Sequence, residues 1–161
     1  MKAIVIAIVA MMTAQAHADG FTCLAESGEL KIKVYNYVNA QDGTRVPARM
    51  VLSNPNLNAG ERTLAVFNSD SGTLEVSQET SPLDTTYVGK VDLRFAELSA
   101  KEATVLGTRL ADLATVSLAV DFKYGDNLAK GDQVEALITL AKRNGGVIRE
   151  QAVCERYLKS E

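Results

Sequence analysis

The stretch "ATVSLAVDFKY" alternates apolar and polar side chains without a break. Ala114, Val116, Leu118, Val120, Phe122 and Tyr124 fall on one side, and Thr115, Ser117, Ala119, Asp121 and Lys123 on the other. A period of two fits an extended strand with one buried face and conflicts with the 3.6-residue repeat of a helix. The same pattern recurs along the chain. "TYVGKVDLRF" puts Tyr87, Val91, Leu93 and Phe95 together, and "LKIKVYNYV" does so for Leu30, Ile32, Val34 and Val38. "RVPARMVL" groups Val46, Ala48, Met50 and Leu52. The shorter runs "TLAVFN" and "TLEVSQ" are expected to face inward through Leu64 and Val66, then Leu74 and Val76.

Turn chemistry separates these runs. Ser27-Gly28, Asp42-Gly43, Ser71-Gly72 and Asn144-Gly145 suit tight reversals, and Pro55 and Pro82 lie in polar loops. The segment "GDQVEALITLAKRNGG" also carries helix signals, with Asp132 as a cap and Glu135 three residues later. We read it as a strand grouping Val134, Ala136, Ile138 and Leu140, because its neighbours in sequence are strands. "AELSAKEA" is expected to hold one helical turn, with Ser99 and Glu102 as cap partners. The resulting fold class is all-β: a single antiparallel β-sandwich or closed β-barrel of about eight or nine strands. A membrane barrel needs an apolar outer band. Here the second face of the strands carries Lys, Asp, Arg, Ser and Thr.

The N-terminus decides the compartment. Lys2, the apolar run "AIVIAIVAMM" and the small-x-small site Ala16-His17-Ala18 make residues 1–18 a cleavable secretory signal. The apolar run is half of what spanning a bilayer takes. The expected mature chain, 19–161, is one all-β domain of 161 − 18 = 143 residues, exported to the periplasm or beyond. Its charge is 16 − 20 = −4, because Lys2 leaves with the signal. An acidic chain lacks the surplus of cations that non-specific nucleic-acid binding needs. Both cysteines, Cys23 and Cys154, remain. In an exported chain they are expected to form a disulfide that pins the first strand to the last.

The only histidine, His17, also leaves with the signal, which removes Ser-His-Asp, Cys-His and His-based zinc chemistry from the mature chain. No nucleotide-binding glycine loop is present, and no cofactor is expected. Asp70-Ser71-Gly72-Thr73 resembles the Asp-Ser/Thr-Gly turn of aspartic proteases, and Val105-Leu106-Gly107 is similar to their apolar-apolar-Gly element. That resemblance implies a homodimer sharing a proton between two copies of Asp70. Asn68 and Ser69 depart from the apolar pair that precedes the aspartate in that family. We read "NSDSGT" as a hairpin turn between "LAVF" and "TLEV". Asp126, Asn127 and Asp132 are the candidates for a calcium ion, which takes six or more oxygens.

Tyr35 and Tyr37 alternate with the aliphatic face and are expected on the opposite side of the sheet, about 7 Å apart. There they would stack on a sugar ring or a partner's side chain. Lys142, Arg143, Arg149, Arg156 and Lys159 gather near the C-terminus and read as edge protection against sheet-to-sheet aggregation. The expected function is a monomeric binding or interaction module for a protein or glycan ligand. A carboxylate-only hydrolase and a structural envelope component are the alternatives.

Overall fold

The computed structural model describes residues 18–38, 45–80, 84–96, 102–123 and 131–159. Among these described residues eleven strands follow one another: β1 (Ala18–Ala25), β2 (Lys31–Val38), β3 (Arg45–Ser53), β4 (Thr63–Asn68), β5 (Leu74–Thr80), β6 (Asp84–Asp92), β7 (Thr104–Val105), β8 (Thr108–Arg109), β9 (Leu113–Lys123), β10 (Gln133–Lys142) and β11 (Val147–Lys159). Nine of them form one antiparallel sheet in the order β4-β3-β2-β1-β11-β10-β9-β6-β5. β7 and β8 form a separate small hairpin. The segment expected as strand rather than helix is β10.

The sheet curls into a nearly closed barrel. Contacts between strands that are not neighbours show the curl. The ring of Phe21 on β1 stands 5.4 Å from that of Tyr87 on β6, with three strands between them in the sheet order. A Cβ built on Gly89 of β6 would lie 3.0 Å from Met50 Cε of β3. The lumen is filled by inward residues of alternating position, among them Ile32, Val34, Leu52, Val116, Leu118, Ile138 and Leu140, all buried. The outer wall carries exposed Arg49, Glu75, Lys90, Asp121, Glu135, Arg149 and Glu155. This is the reverse of the apolar-out arrangement of a membrane barrel. No helix among the described residues is long and apolar enough to cross a membrane.

Cys23 and Cys154 stand directly opposite each other on β1 and β11 and are disulfide-bonded, both fully buried in the core. The bond therefore links the first strand of the sheet to the last in sequence. Such bridges persist in oxidising compartments and are rare in the reducing cytosol.

The two edge strands of the sheet, β4 and β5, are joined by a 3₁₀ turn at Ser69–Ser71. "NSDSGT" is therefore a tight turn, but β4 and β5 do not pair, so it is not a β-hairpin. It joins the two edge strands through the chain itself and is tied to the strand beside each of them. Ser69 Oγ accepts from Ala48 N at 2.7 Å, and Thr73 O accepts from Asp92 N at 2.8 Å. The free amide of Ala48 arises at a bulge, where β3 runs from Arg49 opposite Tyr35 to Val46 opposite Tyr37. Pro47, which has no N–H to give a ladder, sits in that bulge.

Three inward assignments change. In β4 a register shift between Leu52 and Ser53 leaves Leu64 as the extra residue, so Ala65 and Phe67 face Leu52 and Met50. Phe67 is buried and Val66 is 49 % exposed, the opposite of the expected parity. "TLAVF" is nearly all apolar, so its pattern carried no phase. In β9 a shift opposite Lys142 puts Leu113 in the core and leaves Ala114 half-buried. Phe95 is 72 % exposed, because the ladder ends at Asp92 and the chain turns there, with Phe95 N donating to Asp92 O at 3.4 Å. Beyond the end of the strand, period two no longer sets direction.

Candidate functional site

Two surfaces gather side chains able to bind. The first is the outer wall where β3, β2, β1 and β11 lie side by side. In the ladder Tyr35 stands between Arg49 of β3 and Gly20 of β1, and Gly20 stands between Tyr35 and Tyr157 of β11. Gly20 is buried, and a Cβ there would collide with the carbonyl oxygen of Val34. β1 and β2 can lie this close only with glycine at that position. The Lys33 ammonium lies 5.3 Å from the centroid of the half-buried Tyr35 ring, within cation–π range. Arg49 is turned toward β4, where its Nε donates to Asn68 Oδ1 at 3.0 Å. Further along the wall Leu24 and Val153 face each other across β1 and β11, each 45 % exposed. This cross-strand apolar pair is a feature that alternation alone does not reveal.

The backbone of Tyr37 pairs with Ala18 and Val46, while its side chain lies outside the described residues. Asp126 and Asn127 also lie outside them. So do the Asp42-Gly43 turn, Pro82, residues 1–17 and positions 97–101 of the expected helical turn. Asp132 is exposed just before β10, with its carbonyl accepting from Arg156 N at 3.3 Å. Among the described residues no three His, Cys, Asp or Glu side chains gather around a possible metal position. Asp70 is exposed on its 3₁₀ turn, and the hydroxyls of its neighbours are used locally. Ser71 Oγ donates to Asn68 O at 2.7 Å and lies 2.8 Å from Thr73 Oγ1.

The second surface is the end of the barrel capped by residues 102–112. Val105 and Leu110 enter the core there. The β7–β8 hairpin turns through Leu106 and Gly107, at φ 48° and 68°. Positive φ at both central residues is the two-residue turn that matches strand twist, and it favours Asn or Gly in the first place. Leucine is held there while packing on the core. The following 3₁₀ turn, Leu110–Asp112, is tied to the β10–β11 hairpin. Arg143 N donates to Asp112 O at 2.9 Å, and Arg143 Nε donates to Ala111 O at 3.0 Å. Within that hairpin Gly145, at φ 89°, completes a turn closed by its N–H donating to Lys142 O at 3.0 Å. Asn144 Oδ1 accepts from Gly146 N at 3.1 Å.

Between the hairpins lies a cleft of about 590 Å³, lined by Gly107, Thr108, Arg109, Asp112, Lys142, Arg143 and Asn144. Arg109 donates to both oxygens of Asp112, at 2.9 Å each. The bonds from Arg109 hold the Asp112 carboxyl below its ordinary range; burial opposes this, and the positive charges of Lys142 and Arg143 reinforce it. Asp112 in turn raises the Arg109 guanidinium above its usual value. At the neighbouring strand end Arg94 forms a two-pronged pair with Asp92, at 2.6 and 3.0 Å. Its guanidinium lies 5.7 Å from the Phe95 ring. No known protein family, curated protein or solved structure matches the chain.

Proposed function

We propose that the chain is an exported binding module, working in the periplasm or outside the cell, with no catalytic machinery of its own. Its ligand surface is the outer wall around Tyr35 and Tyr37. The observation that carries this reading is the filled lumen: Phe21 meets Tyr87 and Met50 reaches Gly89 across the barrel. A barrel packed in this way holds its ligand outside. On the wall, a half-buried tyrosine beside a glycine, with a lysine ammonium over its ring, puts aromatic and polar groups together where a sugar could meet both. The exposed Leu24–Val153 pair suits an apolar side chain of a protein partner. The ligand class is accordingly a glycan or a protein surface, met by a monomer.

The test is a glycan array and a pull-down from envelope extract, run with the wild type and with Tyr35→Ala and Tyr37→Ala. Loss of a specific signal in the variants, with an unchanged thermal midpoint, supports the wall. A signal indifferent to both substitutions overturns it. The alternative reading, a carboxylate-only hydrolase built from two copies of the exposed Asp70 turn, requires a dimer. A monomeric mass by light scattering removes it.

A further inference from the structure

The cleft at the capped end carries chemistry that the wall does not. Its lining has three cations, Arg109, Lys142 and Arg143, and one acid, Asp112, a net of 3 − 1 = +2 on a chain whose total is −3. Asp112 is already matched, because both of its oxygens accept from Arg109. Among the described residues the Arg143 side chain donates only to neutral carbonyls, those of Ala111 at 3.0 Å and Leu93 at 3.4 Å, so its charge is not cancelled there. Among the described residues the Lys142 ammonium has neither an ion pair nor a hydrogen bond. Its stem is half-buried and lies against Gly146, where a Cβ would sit 3.4 Å from Lys142 Cδ. Glu102 acts on Arg109 but is not part of the lining. Asn144 accepts from Gly146 N through its oxygen, which leaves its amide hydrogens as donors, and the buried Thr108 adds a hydroxyl.

These groups sit on elements that are hydrogen-bonded to one another. Arg109 follows the β7–β8 turn, Lys142 ends β10, and Arg143 and Asn144 belong to the hairpin that is bonded to the 3₁₀ turn. Two uncompensated cations at one concave site favour an anion, and oxyanions suit guanidinium and ammonium donors. The cleft also has the size of a small-molecule site, roughly 300–1,000 Å³, so a bare ion would leave most of it empty.

We propose that this cleft binds a sugar-sized molecule through an oxyanion group, a phosphate or carboxylate, held by Lys142 and Arg143. This is a second site, independent of the tyrosine wall.

The experiment is a nuclear magnetic resonance titration of the full chain with glucose 1-phosphate, glucuronate, inorganic phosphate and glucose, at constant ionic strength. Glucose 1-phosphate or glucuronate should give saturable one-to-one shifts at residues 107–112 and 142–146. Binding should be tighter than that of inorganic phosphate, and glucose should give none. Lys142→Met keeps the stem that covers Gly146 and removes the charge. It should weaken binding by at least about tenfold, the loss of one charge-assisted hydrogen bond. Lys142→Arg should retain binding, and Lys33→Met, on the wall, should not change it. Arg143 is left intact because it props the 3₁₀ turn. The proposal is overturned by non-saturable shifts, by equal binding of glucose, by inorganic phosphate binding as tightly as its sugar ester, or by a folded Lys142→Met that binds as the wild type does.

Discussion

Breaking the Cys23–Cys154 bond should lower stability without changing the fold. The bridge closes a loop of 131 residues. In the chain-entropy treatment, a loop of that length raises the free energy of the unfolded chain by about 5 kcal/mol. A domain of this size loses about 3–4 °C of midpoint per kcal/mol, so reduction should lower the thermal midpoint by about 15–20 °C. Both sulfurs are fully buried, so reduction of the native protein should be slow and should follow opening of the β1–β11 pair. The assay compares urea and thermal unfolding of the oxidised protein, the same protein unfolded and refolded in reductant, and the Cys23→Ala/Cys154→Ala variant. The variant also loses two buried sulfur atoms, so the reduced wild type isolates the cross-link. Far-ultraviolet spectra should stay those of a β-protein in all three, because the remaining ladder of eight neighbouring strand pairs holds without the bond. A reduced protein with the midpoint of the oxidised one would refute the entropic reasoning. So would a reduced protein that has lost its strands while the variant keeps them.

Gly20→Ala should destabilise by about 2–3 kcal/mol, as overpacking against backbone does, because the collision is with Val34 O; urea melts would show it. Gly89→Ala should cost less, since its nearest atom is the flexible end of Met50. Gly107→Ala, at φ 68° with open space around it, should cost about 1–2 kcal/mol from backbone strain alone. The Asp92 carboxyl is lowered from 3.8 to about 2, mainly by the hydrogen bond from the Arg94 side chain, with partial burial opposing. A lowered folded-state value means that the pair contributes stability above the ordinary carboxylate range and loses it as pH falls toward 2. In Arg94→Ala the carboxyl resonance of Asp92 should titrate close to 3.8, and the stability difference from wild type should vanish in strong acid. An unshifted Asp92 titration in that variant would show that Arg94 is not its cause.

Much of the barrel was legible because strand faces declare themselves by contrast. Leu30, Ile32 and Val34 alternate with Lys31, Lys33 and Tyr35, so both the strand and its inward face followed from the residues, and the core confirms them. Val116, Leu118 and Val120 did the same for the longest run. The cysteine pairing followed from count and compartment. In "TLAVF" contrast fails, since nearly every residue is apolar; the bulge at Leu64 then decided the phase. At Phe95 the limit was the end of the ladder, which no local pattern marks. The 102–112 cap gave no turn signal, because a leucine occupies the place where Asn or Gly would have announced the hairpin.

From the chain alone came the identities of most strands, most of the inward faces, the Asn144-Gly145 reversal and the two cysteines that had only each other to pair with. These are local or countable properties, set by side-chain period and residue type. The order of strands in the sheet, the seam between β4 and β5, and the meeting of Arg109 with Lys142 and Arg143 belong to the tertiary structure. Groups more than thirty residues apart become neighbours only when backbone pairing and core burial choose one closure of the sheet. No short-range pattern in the chain encodes that choice.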